Sequence, residues 1–174
     1  MIRAVRREDA AAVAEVYRPY VEQTAISFES GAPAAAEMAR RIEATVTHYP
    51  WLVAEDGGTV VGYAYAGPHR ARPAYRWSVD VSVYLAPQAH RRGIGTRLYQ
   101  ALFDHLRAQG YCNAFAGVAL PNPASVGLHE SLGFAPVGVY RNVGYKSGRW
   151  HDVGWWQLEL LPPDPDPPEP RPTP

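Results

Sequence analysis

The sequence predicts an α/β fold in a single domain: one mixed, mostly antiparallel central sheet flanked by helices. Three observations predict it. Apolar spacing alternates between period two and helical period in the order strand, two helices, three strands, helix, strand, helix, two strands. Asp56-Gly57-Gly58-Thr59 between two apolar runs is hairpin chemistry, so the strands it joins pair antiparallel. At 174 residues and 47% apolar, the chain is long enough for one well-buried core and too short for two ordinary domains.

Ile2 to Val5 is a short strand, and Ala10 to Val21 a helix with Val13, Val16, Tyr17, Tyr20 and Val21 on one stripe. Pro19 is expected to kink or split it. Thr24 to Pro33 is a loop holding Phe28 and Glu29, followed by a helix over Ala34 to His48 with Met38, Ile42 and Val46 aligned. Trp51 to Glu55 and Val60 to Ala66 are the hairpin strands. A polar, proline-bearing connection, Gly67 to Tyr75, leads to a strand over Trp77 to Leu85. Val79, Val81, Val83 and Leu85 share one face of that strand, leaving Asp80, Ser82 and Tyr84 on the other.

Thr96 to Gln109 is an amphipathic helix with Leu98, Leu102, Phe103 and Leu106 inward, ended by Gly110. Cys112 to Leu120 is a strand, Pro123 to Leu132 a short helix, and Phe134 to Tyr140 and Val153 to Leu161 the last strands. Residues 1–161 make the domain. PPDPDPPEPRPTP, 162–174, has little to bury and is expected to be a disordered, extended tail.

Charge balances at 17 basic and 17 acidic residues, so no broad electrostatic footprint for nucleic acid or an anionic membrane is expected. No apolar signal core or membrane-length run occurs, and the lone Cys112 suits core packing in a reducing compartment; a cytoplasmic location is expected. The six histidines are scattered and His129-Glu130 is followed by Gly133 where HExxH needs histidine, so no metal site is expected. Trp150, Trp155 and Trp156 suit sheet or dimer packing.

The chemistry concentrates in VSVYLAPQAHRRGIGTRL, Val81 to Leu98. A strand entering a glycine turn at a helix N-terminus leaves several backbone N–H groups pointing one way, with the helix dipole behind them. That is an anion seat, strengthened by Arg91 and Arg92 and opened by Gly93 and Gly95. A nucleotide P-loop is excluded because no Gly-Lys-Ser/Thr ending follows, and a dinucleotide fingerprint because Leu98 stands where its third small residue belongs.

His90-Arg91-Arg92-Gly93-Ile94-Gly95 resembles the cofactor motif of the GNAT family of N-acetyltransferases, which move acetyl from acetyl-CoA to an amine. The family's first motif position is Gln or Arg; His90 departs from it. Asn122, Ser125 and His129-Glu130-Ser131-Leu132-Gly133-Phe134 are similar to a second family element. YPWLVAE, YAYAGP, ARPAYRW, SVYL and GRWHDVGWWQLEL resemble the phosphinothricin acetyltransferase branch, which includes methionine sulfoximine and methionine sulfone acetyltransferases. The resemblance covers nearly all but the proline tail and implies the GNAT fold. It further implies that the backbone of Val83, Tyr84 and Leu85 binds the pantetheine arm, that Arg91, Arg92, Gly93, Ile94, Gly95 and Thr96 bind the pyrophosphate, and that Asn122 and Ser125 belong to the same site.

Attack by an amino group needs a neutral nitrogen, so a group must accept its proton. Asp80 occupies the position where the branch carries a glutamate base; being one methylene shorter, it acts directly or through a bridging water. His129 is expected to protonate the departing thiolate or assist as a base. Arg70 and Arg72 are expected to fork onto the oxygens of an amino-acid-like substrate, and the resemblance implies that they share the substrate pocket with Phe28 and Tyr75. The resemblance implies a homodimer. Acetylation of peptide N-termini or polyamines, and a non-catalytic CoA-binding regulatory module, are the competing expectations.

Overall fold

A computed structural model describes residues 1–172; positions 173 and 174 of the expected tail lie outside the described residues. The elements run β1 (Ile2–Ala4), α1 (Ala10–Glu22), α2 (Ala35–Val46), β2 (Trp51–Asp56), β3 (Thr59–Pro68), β4 (Ser78–Leu85), α3 (Ile94–Gln109), β5 (Asn113–Leu120), α4 (Pro123–Ser131), β6 (Ala135–Lys146) and β7 (Arg149–Glu159). Among the described residues the strands form one seven-stranded sheet in the order β1-β2-β3-β4-β5-β7-β6. Every neighbouring pair is antiparallel except β4 and β5. The parallel pair is possible because α3 supplies the crossover that a short turn cannot.

Period-two alternation sends neighbouring residues to opposite layers. Leu52 and Ala54 of β2 join α3 on one face, where Leu98, Leu102 and Leu106 are fully buried. Trp51 and Val53 join α1 and α2 on the other, with Val13, Met38 and Ile42. Truncating one of those leucines to alanine would cost about 2–5 kcal/mol.

One irregularity in this sheet matters most for the site. β4 pairs with β5 only from Ser78 to Asp80, opposite Asn113 to Phe115. Beyond Asp80 the strands part, while β4 stays paired to β3 as far as Leu85 and β5 stays paired to β7 as far as Leu120. The result is a wedge between the ends of β4 and β5.

Three expectations change. α1 runs through Pro19 unbroken, because a proline in the last turns removes a single hydrogen bond and its own carbonyl still accepts from Gln23 N–H at 2.9 Å. α3 starts at Ile94 rather than Thr96, with Gly93 at φ 70° as its N-cap. The last two strands extend toward each other into one long hairpin that turns at Ser147 and Gly148, both at positive φ. β6 is an edge strand exposed along most of its length and carries bulges near Pro136 and Tyr140, so no alternating burial pattern marks it in the sequence.

The described part of the proline tail, 162–172, has no helix or strand, yet it is held. Trp77 Nε1 donates to the Pro168 carbonyl at 2.9 Å, Arg76 pairs with Glu169 at 2.8 Å, and Arg171 N–H donates to the Gln109 carbonyl at 2.8 Å. No helix among the described residues is long and apolar enough to cross a membrane.

Candidate active site

The wedge opens onto a groove of about 860 Å³ that runs from β4 over the start of α3 to α4. Val83, Tyr84, Leu85, Arg91, Gly93, Ile94, Gly95, Thr96, Asn122 and Ser125 line it, so the strand end, the glycine turn and the second motif meet at one surface. Local chemistry explains the meeting. Arg91 at φ 58° and Gly93 at φ 70° curl the turn, which bares amide groups at the N-terminus of a sixteen-residue helix. Asn122 accepts from Ser125 N–H at 3.1 Å and caps α4, with Pro123 beginning the helix.

Arg92 does not join the groove; it pairs with Asp56 on the β2–β3 hairpin at 2.8 Å. His90 turns back onto β4, its Nε2 lying 3.1 Å from the Tyr20 hydroxyl and 3.2 Å from the Leu85 carbonyl. Tyr20 also donates to that carbonyl at 2.6 Å and accepts from Leu85 N–H at 3.3 Å. A ligand pairing with Leu85 would therefore exchange with the tyrosine hydroxyl.

Asp80 is the last β4 residue paired with β5, which puts its carboxylate at the vertex of the wedge. Its Oδ1 lies 2.6 Å from Nδ1 of His69, a residue the sequence reading did not single out. The His69 ring stacks on Phe115 of β5 at 4.1 Å, with Tyr75 and Trp155 each meeting it edge-on at 6.0 Å. Burial raises the Asp80 carboxyl above its ordinary value, opposed by the His69 hydrogen bond and then by the charges of His69 and Arg70. No sequence signal marked His69; strand register, with Gly67 opposite Asp80 and Pro68 opposite Val79, carries the chain back past Asp80.

Arg70 joins this cluster, its guanidinium 5.7 Å over the Trp155 ring and its Nη1 donating to the His69 carbonyl at 2.9 Å. Arg72 does not; it is exposed at the start of the short turn containing Tyr75. Phe28 stands on a separate wall. Its ring packs where a Cβ on Gly144 would be, 6.0 Å from the His151 ring. Lys146 holds that loop by donating to the Val21 and Ser27 carbonyls at 2.6 Å each.

Residues 2–155 match the Acetyltransferase (GNAT) domain family. The chain belongs to that family. It is 42% identical over 164 residues to the phosphinothricin N-acetyltransferase of Streptomyces viridochromogenes, covering 94% of this chain and 90% of the relative. It is 36% identical over 160 residues to the L-methionine sulfoximine/L-methionine sulfone acetyltransferase of Salmonella typhimurium, covering 91% and 94%. A GNAT superfamily phosphinothricin acetyltransferase from Sinorhizobium meliloti, solved in complex with acetyl-CoA, superimposes with a TM-score of 0.88 at 37% identity, covering 92% of this chain and 88% of that one. This GNAT protein is an acetyl-CoA-dependent N-acetyltransferase.

The donor fits the groove on physical grounds. A phosphate-bearing ligand matches the bared amides of the α3 turn, and an extended arm bearing amides matches a strand edge that has lost its neighbour. At the depth of the wedge His129 is 3% exposed. Its Nδ1 lies 2.7 Å from the Ser125 carbonyl and its Nε2 3.0 Å from the Tyr99 hydroxyl. Those partners assign the proton to Nδ1, which donates to the carbonyl, and leave Nε2 to accept from Tyr99. Burial lowers its pKa, so this GNAT protein carries a neutral imidazole there. Burial likewise pushes the Cys112 thiol up, away from nucleophile chemistry.

Proposed function

We propose that this enzyme acetylates the amino group of a small amino-acid-like substrate of the phosphinothricin, methionine sulfoximine or methionine sulfone type, by direct attack in a ternary complex. One observation carries the reading: Asp80, with Arg70 beside it, stands at the vertex of the wedge whose open arms form the donor groove. A base at that point meets an amine entering beside the β4 edge.

Acetyl-CoA supplies an acetyl group activated as a thioester. The protein's residues do the rest. Val83 and Tyr84 offer strand backbone to the pantetheine arm, and Arg91 with Gly93 to Thr96 hold the pyrophosphate. Asp80 takes the ammonium proton, directly or through one water; its raised carboxyl pKa brings it closer to the working pH, where a base is most effective. Arg70 offers a guanidinium to the substrate's anionic oxygens, with Tyr75 and Phe28 as apolar walls and Arg72 at the rim. His129, its two ring nitrogens already engaged by the Ser125 carbonyl and the Tyr99 hydroxyl, closes the site beside the departing sulfur as a neutral wall and not as its acid.

The enzyme acts in the cytoplasm, in keeping with its one free thiol, and as a homodimer. Val137, Val139, Tyr140, Val143, Tyr145 and Trp150 are all exposed on the β6–β7 hairpin at the sheet edge, and a second copy of the same edge is the occupant this apolar surface suits. Trp150→Lys with Tyr145→Asp is expected to give a monomer in sedimentation; an unchanged mass would place the dimer contact elsewhere or abolish it.

A thiol-release assay with acetyl-CoA decides the substrate class. Phosphinothricin, methionine sulfoximine and methionine sulfone should release CoA far faster than peptides or polyamines. Preference for a peptide N-terminus or a polyamine would overturn the substrate reading, and binding of acetyl-CoA without turnover on any amine would overturn catalysis itself.

A further inference from the structure

We propose that His69 is a positioning residue for acetyl transfer: it donates Nδ1–H to Asp80 Oδ1, fixing the carboxylate so that Oδ2 receives the amine proton. The inference rests on Asp80 being the base and deepens that reading.

A 2.6 Å N···O contact needs one proton between its atoms, and a carboxylate facing Nδ1–H satisfies this with the charge on the aspartate. The order of exposure gives the direction. His69's side chain is 12% exposed and Asp80's 37%, so the carboxylate is the open end of the pair and the imidazole its support. The support is itself immobilised. Phe115 lies flat beneath the ring, Tyr75 and Trp155 close on it from the side, and the His69 carbonyl accepts from Arg70. An imidazole so enclosed keeps one orientation, and a short carboxylate bonded to it gives up its rotamer freedom before substrate arrives.

Few other groups compete for this task. Arg70 faces the carboxylate from the same loop and Tyr65 from β3; Tyr75 meets the imidazole edge-on; β5 and β7 contribute the uncharged rings of Phe115 and Trp155. Within that set His69 alone hydrogen-bonds the carboxylate. In the reaction one ammonium proton passes to Asp80 Oδ2, and the freed nitrogen pair forms the C–N bond as the C–S bond breaks. The second nitrogen proton passes to the departing thiolate, giving CoA–SH, and Asp80 returns its proton to solvent. His69 keeps its Nδ1 proton throughout.

The test compares His69→Phe, which keeps a stacking ring without the donor, His69→Gln, whose amide sits where Nε2 was, and His69→Asn, which returns a donor near Nδ1. His69→Phe and His69→Gln should lower kcat/KM for the amine about 10- to 100-fold, the worth of one hydrogen bond to a charged group. Their acid limb should move to higher pH, because the carboxylate loses the bond that favoured its ionised form. KM for acetyl-CoA should stay within about twofold, as uniform donor binding is untouched. His69→Asn should recover most of the rate and the wild-type limb. A wild-type pH profile in both His69→Phe and His69→Gln, or no recovery in His69→Asn, would overturn the proposal. Asp80→Asn separates the two levels: full activity there removes the base itself, whereas a collapse there with an unmoved profile in the His69 variants removes only the role of His69.

Discussion

The groove beside β4 and the pocket around Asp80 share a strand but are built from different materials. The groove has a main-chain floor, a strand edge that has lost its neighbour, a glycine turn and a helix N-terminus within Val81 to Thr96, with α4 as its facing wall. The pocket is mostly side chain, drawn from the loop after β3, from β5 and from β7. Main-chain groups recognise what every donor molecule shares, whereas side chains recognise what one acceptor has and another lacks. A single fold can therefore keep its donor and change its acceptor.

That contrast can be broken by experiment. The largest effect is expected from Asp80→Asn, which should lower kcat about 10²- to 10³-fold, the usual range for a lost general base, with acetyl-CoA affinity unchanged in calorimetry. A parallel loss of donor binding would show that pocket and groove are one unit. Gly93→Val should do the reverse, weakening acetyl-CoA about tenfold and costing about 1–2 kcal/mol in thermal unfolding, because a branched side chain resists the left-handed conformation at φ 70°. Gly144→Ala should displace the Phe28 ring and raise KM for the amine several-fold, leaving KM for acetyl-CoA in place.

The smallest effects are in pH. His129, held neutral in the groove, has a lowered pKa, so the unfolded chain binds the extra proton first and stability should fall as pH drops below about 6.5. Asp80 has the opposite sign. Its raised carboxyl pKa means that the folded state binds its proton more readily, so ionisation at neutral pH costs stability. Asp80→Asn should then raise Tm by about 1–2 °C at pH 7 and by less at pH 4. A lower Tm at pH 7 would mean that the His69 bond outweighs the burial.

Legibility followed the same division. The glycine turn and the β4 face carrying Asp80 could be read because each depends on residues a few positions apart. Arg92 and Arg70 could not be sorted from their neighbours, since an arginine's partner is set by what folds against it: Asp56 for one, Trp155 and the His69 carbonyl for the other. The long β6–β7 hairpin escaped because an exposed edge strand has no buried face to imprint a pattern.

Apolar period, turn residues and local caps are properties of neighbouring residues, and from these the sequence alone determined the element order, the helix-flanked sheet and the glycine turn. The point at which β4 leaves β5, and the meeting of Asp80, His69 and Phe115 there, depend on register between strands far apart in the chain. Only packing of the whole sheet sets that register, so the tertiary structure decided where Asp80 stands and what supports it.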